Sequence, residues 1–273
     1  MKITRAMELI ATSRIAKARV RVAQNQPYTE KMNEVIRNLG AGSGGVRHPL
    51  LERREIRTVG VVAISSDRGL AGGYNSSIIR MAEHRMHDVR EEGKDVRLYT
   101  VGERAKAYYA YRKFDIEHAW LGVTDTPTYG DARAIGNTLL EEYERERVDS
   151  FEVFTTRYVS ALTQKPVQWP VLPIEPPESD GSDGPSPAYT FEPSAQAILA
   201  RLLPRYLEGT IFGILLEASA SEHAARRRAM KAATENAEDL VRLLTREANQ
   251  ARQAEITTEI SEIVGGAEAL AGG

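Results

Sequence analysis

The sequence predicts an α/β protein in which two long terminal helices pair as an antiparallel coiled coil beside a small domain built on a mostly parallel sheet. Three observations predict it. Met1 to Gln26 contains neither Pro nor Gly, and the middle alternates short β-branched runs with amphipathic stretches. The 51 residues from Ile214 to Val264 again lack both helix breakers. As one helix they would extend ~77 Å, against ~30 Å for a small domain. Such a helix must protrude, and its apolar face then needs a partner.

In chain order, Ile3, Met7, Ala11, Ile15, Ala18 and Val22 recur every three or four places and predict one narrow apolar face. Pro27 predicts a kink or brief break, after which Met32, Val35, Ile36 and Leu39 resume the pattern. GAGSGG (Gly40 to Gly45) reads as a flexible joint, so residues 1–45 form the N-terminal unit.

Residues 46–193 read as the α/β unit. TVGVVAISS, VRLYTVG, FEVFTTRYVSA and the stretch around VQWPVLPI predict strands. SSIIRMAEHRMHDVREEG, ERAKAYYAYRKF and DARAIGNTLLEEYERER predict the helices between them. Strand and helix in alternation imply a mostly parallel sheet covered by helices. Pro173 to Pro187, rich in Pro, Gly and acids and without a base, predicts a mobile acidic excursion.

Residues 194–273 predict the second long helix. Ala237, Val241, Leu244, Ala248 and Ala251 form one seam, and Ile256, Ile260, Ile263, Ala267 and Leu270 a second. Both resemble the alanine-rich stripe of the first helix, so the two ends are expected to fold back on each other. Met1 to Gly40 carries eight bases and three acids, whereas Glu255 to Glu268 carries four acids and no base. Opposite signs favour pairing, though each exposed ion pair adds only ~0–1 kcal/mol. Acids near a helix C-terminus oppose its dipole, which points to an external partner at that end.

Composition narrows the function. A net charge of -2 argues against a nucleic-acid binder. With no cysteine there is no disulfide, thiolate metal site or cysteine nucleophile. No apolar run approaches the ~20 residues that cross a bilayer, and the N-terminus lacks an unbroken signal-peptide core.

Candidate chemistry is sparse. SSDRGLAGGYN (Ser65 to Asn75) follows a strand and opens a helix, where amides could cradle a phosphate. It lacks both the dinucleotide glycine spacing and the P-loop Lys-Ser/Thr pair, so a tight turn is the better reading. His84 and His87, beside Glu83 and Asp88, have metal-ligand spacing but no further ligand cluster. Ser65, Ser66 and Asp67 have no histidine placed near them by sequence. Arg226 to Arg228 with Lys231 forms either a solvated basic face or a contact for an acidic partner.

ARQAEITTEISEIVGGAEAL resembles the end of the gamma subunit of F-type ATP synthases, most specifically at Ile256-Thr257, Glu259, Glu262 and Gly266-Ala267. KITRAMELIATSRIAKA, SSDRGLAGGYN and MKAATENA agree as well, in the family's order and across the whole chain. The resemblance implies a Rossmann-like foot and a coiled-coil shaft inside a ring of alpha and beta subunits, with the epsilon subunit and the c-ring at the foot. It implies a non-catalytic rotor without cofactor or nucleic-acid partner, peripheral to the cytoplasmic face of a bacterial membrane, and lacking the thiol switch of photosynthetic members. Met7 matches the family's position near the beta-subunit lever loops. Arg252, Gln253, Thr257 and Glu259 match ring-contacting positions. Arg14, Lys17, Arg226 and Arg228 are further candidates for meeting acidic lever loops. Members usually begin a turn or several before KIT. A late-assigned start or a shortened shaft follows, and with it a shaft tip that is single-helical.

Two other classes fit the pattern less fully. One is a nucleotide-binding α/β enzyme with a coiled-coil arm, which would bind ATP or a nicotinamide cofactor. The other is a static adaptor, which would tolerate a covalent tether to its partner.

Overall fold

The computed structural model describes residues 2–42, 48–175 and 194–271, with the side chains of 38–42, 195 and 268–271 left aside. The first helix, α1, spans Lys2–Gly42. The α/β unit then runs β1 (Thr58–Ile64), α2 (Tyr74–Glu91), β2 (Asp95–Val101), α3 (Glu103–Tyr111), β3 (Ile116–Trp120), α4 (Tyr129–Glu144), β4 (Ser150–Tyr158) and β5 (Gln164–Leu172). The last helix, α5, spans Ala195–Ala271 and holds 77 residues, about 115 Å at 1.5 Å per residue.

The sheet order is β3-β2-β1-β4-β5. β1 pairs in parallel with β2 and β4, β2 in parallel with β3, and β5 runs antiparallel to β4. β5 carries Pro166 and Pro170, which lack a ladder donor and suit an edge strand. β3 was not expected. Its IEHAW run is only partly buried and lacks the apolar density that marks β1, because an edge strand is covered less than a central one.

Side-chain alternation along β1 builds two cores. Val59, Val61 and Ala63 face α2 and α3, where Ile78, Ala82, Met86 and Tyr109 are buried. Val62 and Ile64 face the other side, where α4 and the base of α5 contribute Ile135, Leu139, Leu203, Leu207 and Ile211. Gly60 is required between them, since a Cβ there would lie 2.3 Å from the Phe151 ring.

The two terminal helices are antiparallel. Thr4 Oγ1 lies 2.7 Å from Thr234 Oγ1, while further down Asn25 faces Gly213 and Tyr28 faces Gly209. Ala11, Ile15 and Ala18 are buried along the seam, but Ile3 is 77% exposed and Thr4 takes its place.

Three expectations need correction. α1 runs through Pro27 without a break, and Thr29 Oγ1 donates to the Asn25 carbonyl across that turn. The expected joint at Gly40 to Gly45 is helical as far as Gly42, and its remainder lies outside the described residues. α5 runs through Pro204, Gly209, Gly213 and Gly265, inside the 194–273 span expected of the second helix. Gly209 and Gly213 do not break the helix but sit where α1 crosses: a Cβ at Gly209 would be 3.1 Å from the Tyr28 ring. Finally, the seams from Val241 onward do not pair with α1, which faces Thr234 at its first turn. Residues 176–187 of the acidic segment lie outside the described residues.

Candidate partner-binding surface along the rod

The surface divides into a tip and a neck. Beyond Glu238, every described residue of α5 up to Ala267 is exposed. Leu240, Val241, Leu244, Ile256, Ile260 and Val264 are between 46% and 55% exposed, and Ile263 is 71% exposed. These apolar side chains project in several directions around the helix, which is the signature of a helix lacking its cover. Arg252, Gln253, Thr257 and Glu259 all lie here, exposed. The Thr257 hydroxyl donates only to the Gln253 carbonyl of its own helix, at 2.8 Å.

The neck lies where α1, α5 and the loops after β1 and β3 meet. Met7 is half-buried and lines a cleft with Ile10, Leu70, Arg104 and Asp125. Leu70 sits at φ 63, a left-handed conformation unusual for leucine, and is 61% exposed. Arg14 donates to both carboxylate oxygens of Asp125, and Arg21 donates to the Pro127 carbonyl. Lys17 is exposed. Arg228 is exposed as well and donates to the Leu162 carbonyl at 2.5 Å.

Arg226 departs from expectation. It is 8% exposed, pairs with the buried Glu222 at 2.7 Å and donates to the carbonyls of Arg68 and Gly69 at 3.2 and 3.3 Å. A guanidinium so enclosed is not displayed to an acidic partner. It fastens α5 to the loop after β1.

Burial dominates the electrostatics here. It pushes the Glu222 carboxyl up despite the Arg226 guanidinium beside it. It pushes His223 down to about 4, against the pull of Asp125. Burial also raises the Asp125 carboxyl, but the hydrogen bond and charge of Arg14 outweigh it and the net displacement is downward.

The SSDRGLAGGYN loop lies at the C-terminal end of β1, where open α/β sheets ordinarily bind ligands. Its polar groups are turned inward. Ser66 N donates to Asn75 Oδ1, and Asp67 accepts from Gly122 N, Thr124 N and Thr124 Oγ1. α5 covers the loop: Tyr74 OH donates to the Ala218 carbonyl and Arg226 caps Arg68 and Gly69. Gly72, at φ +57, supplies the left-handed turn. Among the acidic and imidazole groups of α2, His87 approaches Asp88 and Glu91 rather than His84, and all three are exposed.

The family model described as ATP synthase matches residues 1–270. An ATP synthase gamma chain from Parafrankia sp. (strain EAN1pec) is 50% identical over 279 residues, covering 100% of this chain and 93% of the relative. That of Frankia casuarinae is 48% identical with the same coverage. The chain belongs to the ATP synthase gamma chain family.

As a gamma chain it is the rotor subunit of a central stalk, and its fold agrees. It resembles a chain of the Tetrahymena thermophila mitochondrial ATP synthase central stalk and c-ring, with a TM-score of 0.64 and 19% identity, covering 85% of this chain and 99% of that one. It also resembles a chain of the Euglena gracilis mitochondrial ATP synthase rotor, with a TM-score of 0.61 and 18% identity, covering 93% and 94%. At these identities the likeness concerns the fold. Among the described residues no helix of this gamma chain is long and apolar enough to cross a membrane.

Sequence reasoning missed Asp125, Arg21, Glu222 and His223. Glu222 and Arg226 had a signal, since an acid four places before a base on a helix predicts an ion pair. Asp125 had none: it is one acid in a short loop, and its partner Arg14 lies 111 positions away.

Proposed function

We propose that this gamma chain passes proton-driven turning of a membrane ring to the catalytic alpha and beta subunits, and catalyses no reaction itself. The foot, the α/β unit, is held by the c-ring and the epsilon subunit on the cytoplasmic face of a bacterial membrane, where the chain is peripheral. The rod enters the ring of alpha and beta subunits. Being asymmetric, it meets each catalytic site differently, and rotation exchanges those contacts in turn. Differential contact energy then becomes a shift of affinity at each site.

The observation that carries this reading is the tip of α5, a helix exposed on all sides and bearing apolar residues with no cover among the described residues. Arg252, Gln253, Thr257 and Glu259 are the proposed contacts there. Met7, Arg14, Lys17 and Arg228 are proposed contacts at the neck. Arg226 is assigned an internal role by its burial.

The test is a reversible tether. The chain has no cysteine, so Arg252→Cys introduces its only thiol. Oxidative cross-linking of that thiol to a cysteine placed on a ring subunit should stop ATP synthesis and hydrolysis together. Reduction should restore both. Full activity with the tether closed would sink the rotor mechanism and favour a static adaptor.

A further inference from the structure

The two strands of the rod are anchored very unequally. α5 is part of the domain itself: Leu199, Leu203, Leu207 and Ile211 are buried in the core. Higher up, the Ser221 hydroxyl donates to the Thr156 carbonyl, and Arg226 holds the loop after β1. α1 enters that core with a single buried side chain, Ile36, near its C-terminal end. Its seam against α5 is made of small side chains, Ala11 and Ala18 flanking Ile15. Small residues allow close approach but interdigitate weakly, so they resist sliding less than large ridges do.

One residue bridges both strands. The Asp125 carboxylate takes two bonds from Arg14 of α1. Its backbone carbonyl accepts the Ser219 hydroxyl of α5 at 3.0 Å and lies 3.2 Å from His223 Nε2 of the same helix. The neighbouring Pro127 carbonyl takes Arg21, about two turns along α1 from Arg14. The Arg14–Asp125 pair is partly buried, with side chains 34% and 22% exposed, so it is screened less than a surface pair.

A pair of helices transmits twist only when neither can slip along the other at the base. We propose that Asp125 is a positioning residue for rotary coupling: it keys α1 to α5 and to the foot, so that both strands of the rod turn together. The inference rests on the rotor reading. Removing the key leaves α5 anchored and α1 tied to the loop after β3 through Arg21 alone, which makes the shaft torsionally softer without changing any contact surface at its tip.

The test uses the assembled complex. With the foot fixed and a bead attached to the shaft, Asp125→Ala should leave ATP hydrolysis near the parent rate. The mean-square angular fluctuation of the bead should roughly double, because one of the two side-chain links from α1 to the loop after β3, Arg14 and Arg21, is lost. Protons moved per ATP should fall. Two rescues separate this from a merely structural role. The conservative Asp125→Glu, which keeps a carboxylate for Arg14, should retain both the parent fluctuation and the coupling. A disulfide between Thr4→Cys and Thr234→Cys, which stops slip from the other end, should also restore them in Asp125→Ala. Unchanged fluctuation and coupling in Asp125→Ala would overturn the proposal. Failure of Asp125→Ala to assemble, with and without the disulfide, would overturn it too, by assigning Asp125 to folding alone. Failure of the parent complex to rotate would instead count against the rotor reading itself.

Discussion

The base and the tip of α5 are one continuous helix under two different regimes. From Leu199 to Thr234 the helix is packed against α1, α4 and the sheet, and it buries Leu203, Leu207, Ile211, Leu215 and Ala220. From Asp239 onward every described side chain is exposed. Tertiary packing holds the base. The tip has only intrinsic propensity and its own backbone ladder, and isolated helices are marginal on those terms. The contrast teaches that exposure alone does not mark a surface as idle. A segment whose apolar residues have no cover among the described residues is a surface open to one.

The sharpest way to break this comparison is to cut equal side chains from both regimes. Leu203→Ala should cost about 2–5 kcal/mol in denaturant melts of the isolated chain, since Leu203 is wholly buried. Leu244→Ala should change the same melts by less than about 0.5 kcal/mol, because it is half exposed. Equal losses would mean that the tip is packed against something within the chain.

A smaller effect concerns glycine. A Cβ at Gly265 or Gly266 meets nothing within 4 Å. Each Gly→Ala change there should strengthen the tip by about 1 kcal/mol, read as slower amide exchange around Ile260 to Val264. Gly209→Ala should forgo that gain, because its new Cβ would press the Tyr28 ring at 3.1 Å.

The next test is pH. His223 titrates near 4 in the fold against an ordinary 6.5, because it is buried. Between those values the unfolded chain binds more protons, so stability should rise with pH through that window and fall on acidification. Glu222, whose carboxyl burial displaces upward, acts with the opposite sign above its ordinary range. His223→Gln should therefore flatten or reverse the slope between pH 6.5 and 4. An unaltered slope would mean that His223 is protonated in the fold. The smallest effect is expected at the tip: Asp239 and Arg242 lie 3.7 Å apart and are largely exposed. Asp239→Ala should leave the melting midpoint unchanged at physiological salt.

How much of this was legible in the sequence varied with the kind of interaction. Period-two and period-four patterns located β1, β2, β4, β5 and all three helices of the domain, because burial there repeats regularly along the chain. β3 was missed because an edge strand with an exposed His118 carries little of that pattern. The N-terminal stripe was read correctly from Ala11 to Ala18 but wrongly at Ile3, where polar Thr4 meets Thr234 instead. Proline was overrated as a breaker at Pro27, since the adjoining Tyr28 packs on α5 at Gly209 and tertiary packing overrides propensity there. At the site, residue type said that Arg226 could meet an acid. The spacing signals Glu222 of its own helix as that acid, and only the structure shows the pair buried.

The pairing of Thr4 with Thr234 has a consequence for how the molecule is made. A chain leaves the ribosome from its N-terminus, so α1 emerges first and the turn it rests on emerges almost last. At ~5–20 residues per second, the wait is on the order of ten seconds to a minute. Throughout that interval Ala11, Ile15 and Ala18 have no seam to enter. The foot can condense as soon as β5 and the base of α5 are out, but the rod closes only when synthesis is nearly done. The newborn protein is thus a finished pedestal trailing an unzipped pair, and whatever holds α1 in the meantime, whether water, a chaperone or the ring itself, decides whether the rod forms correctly.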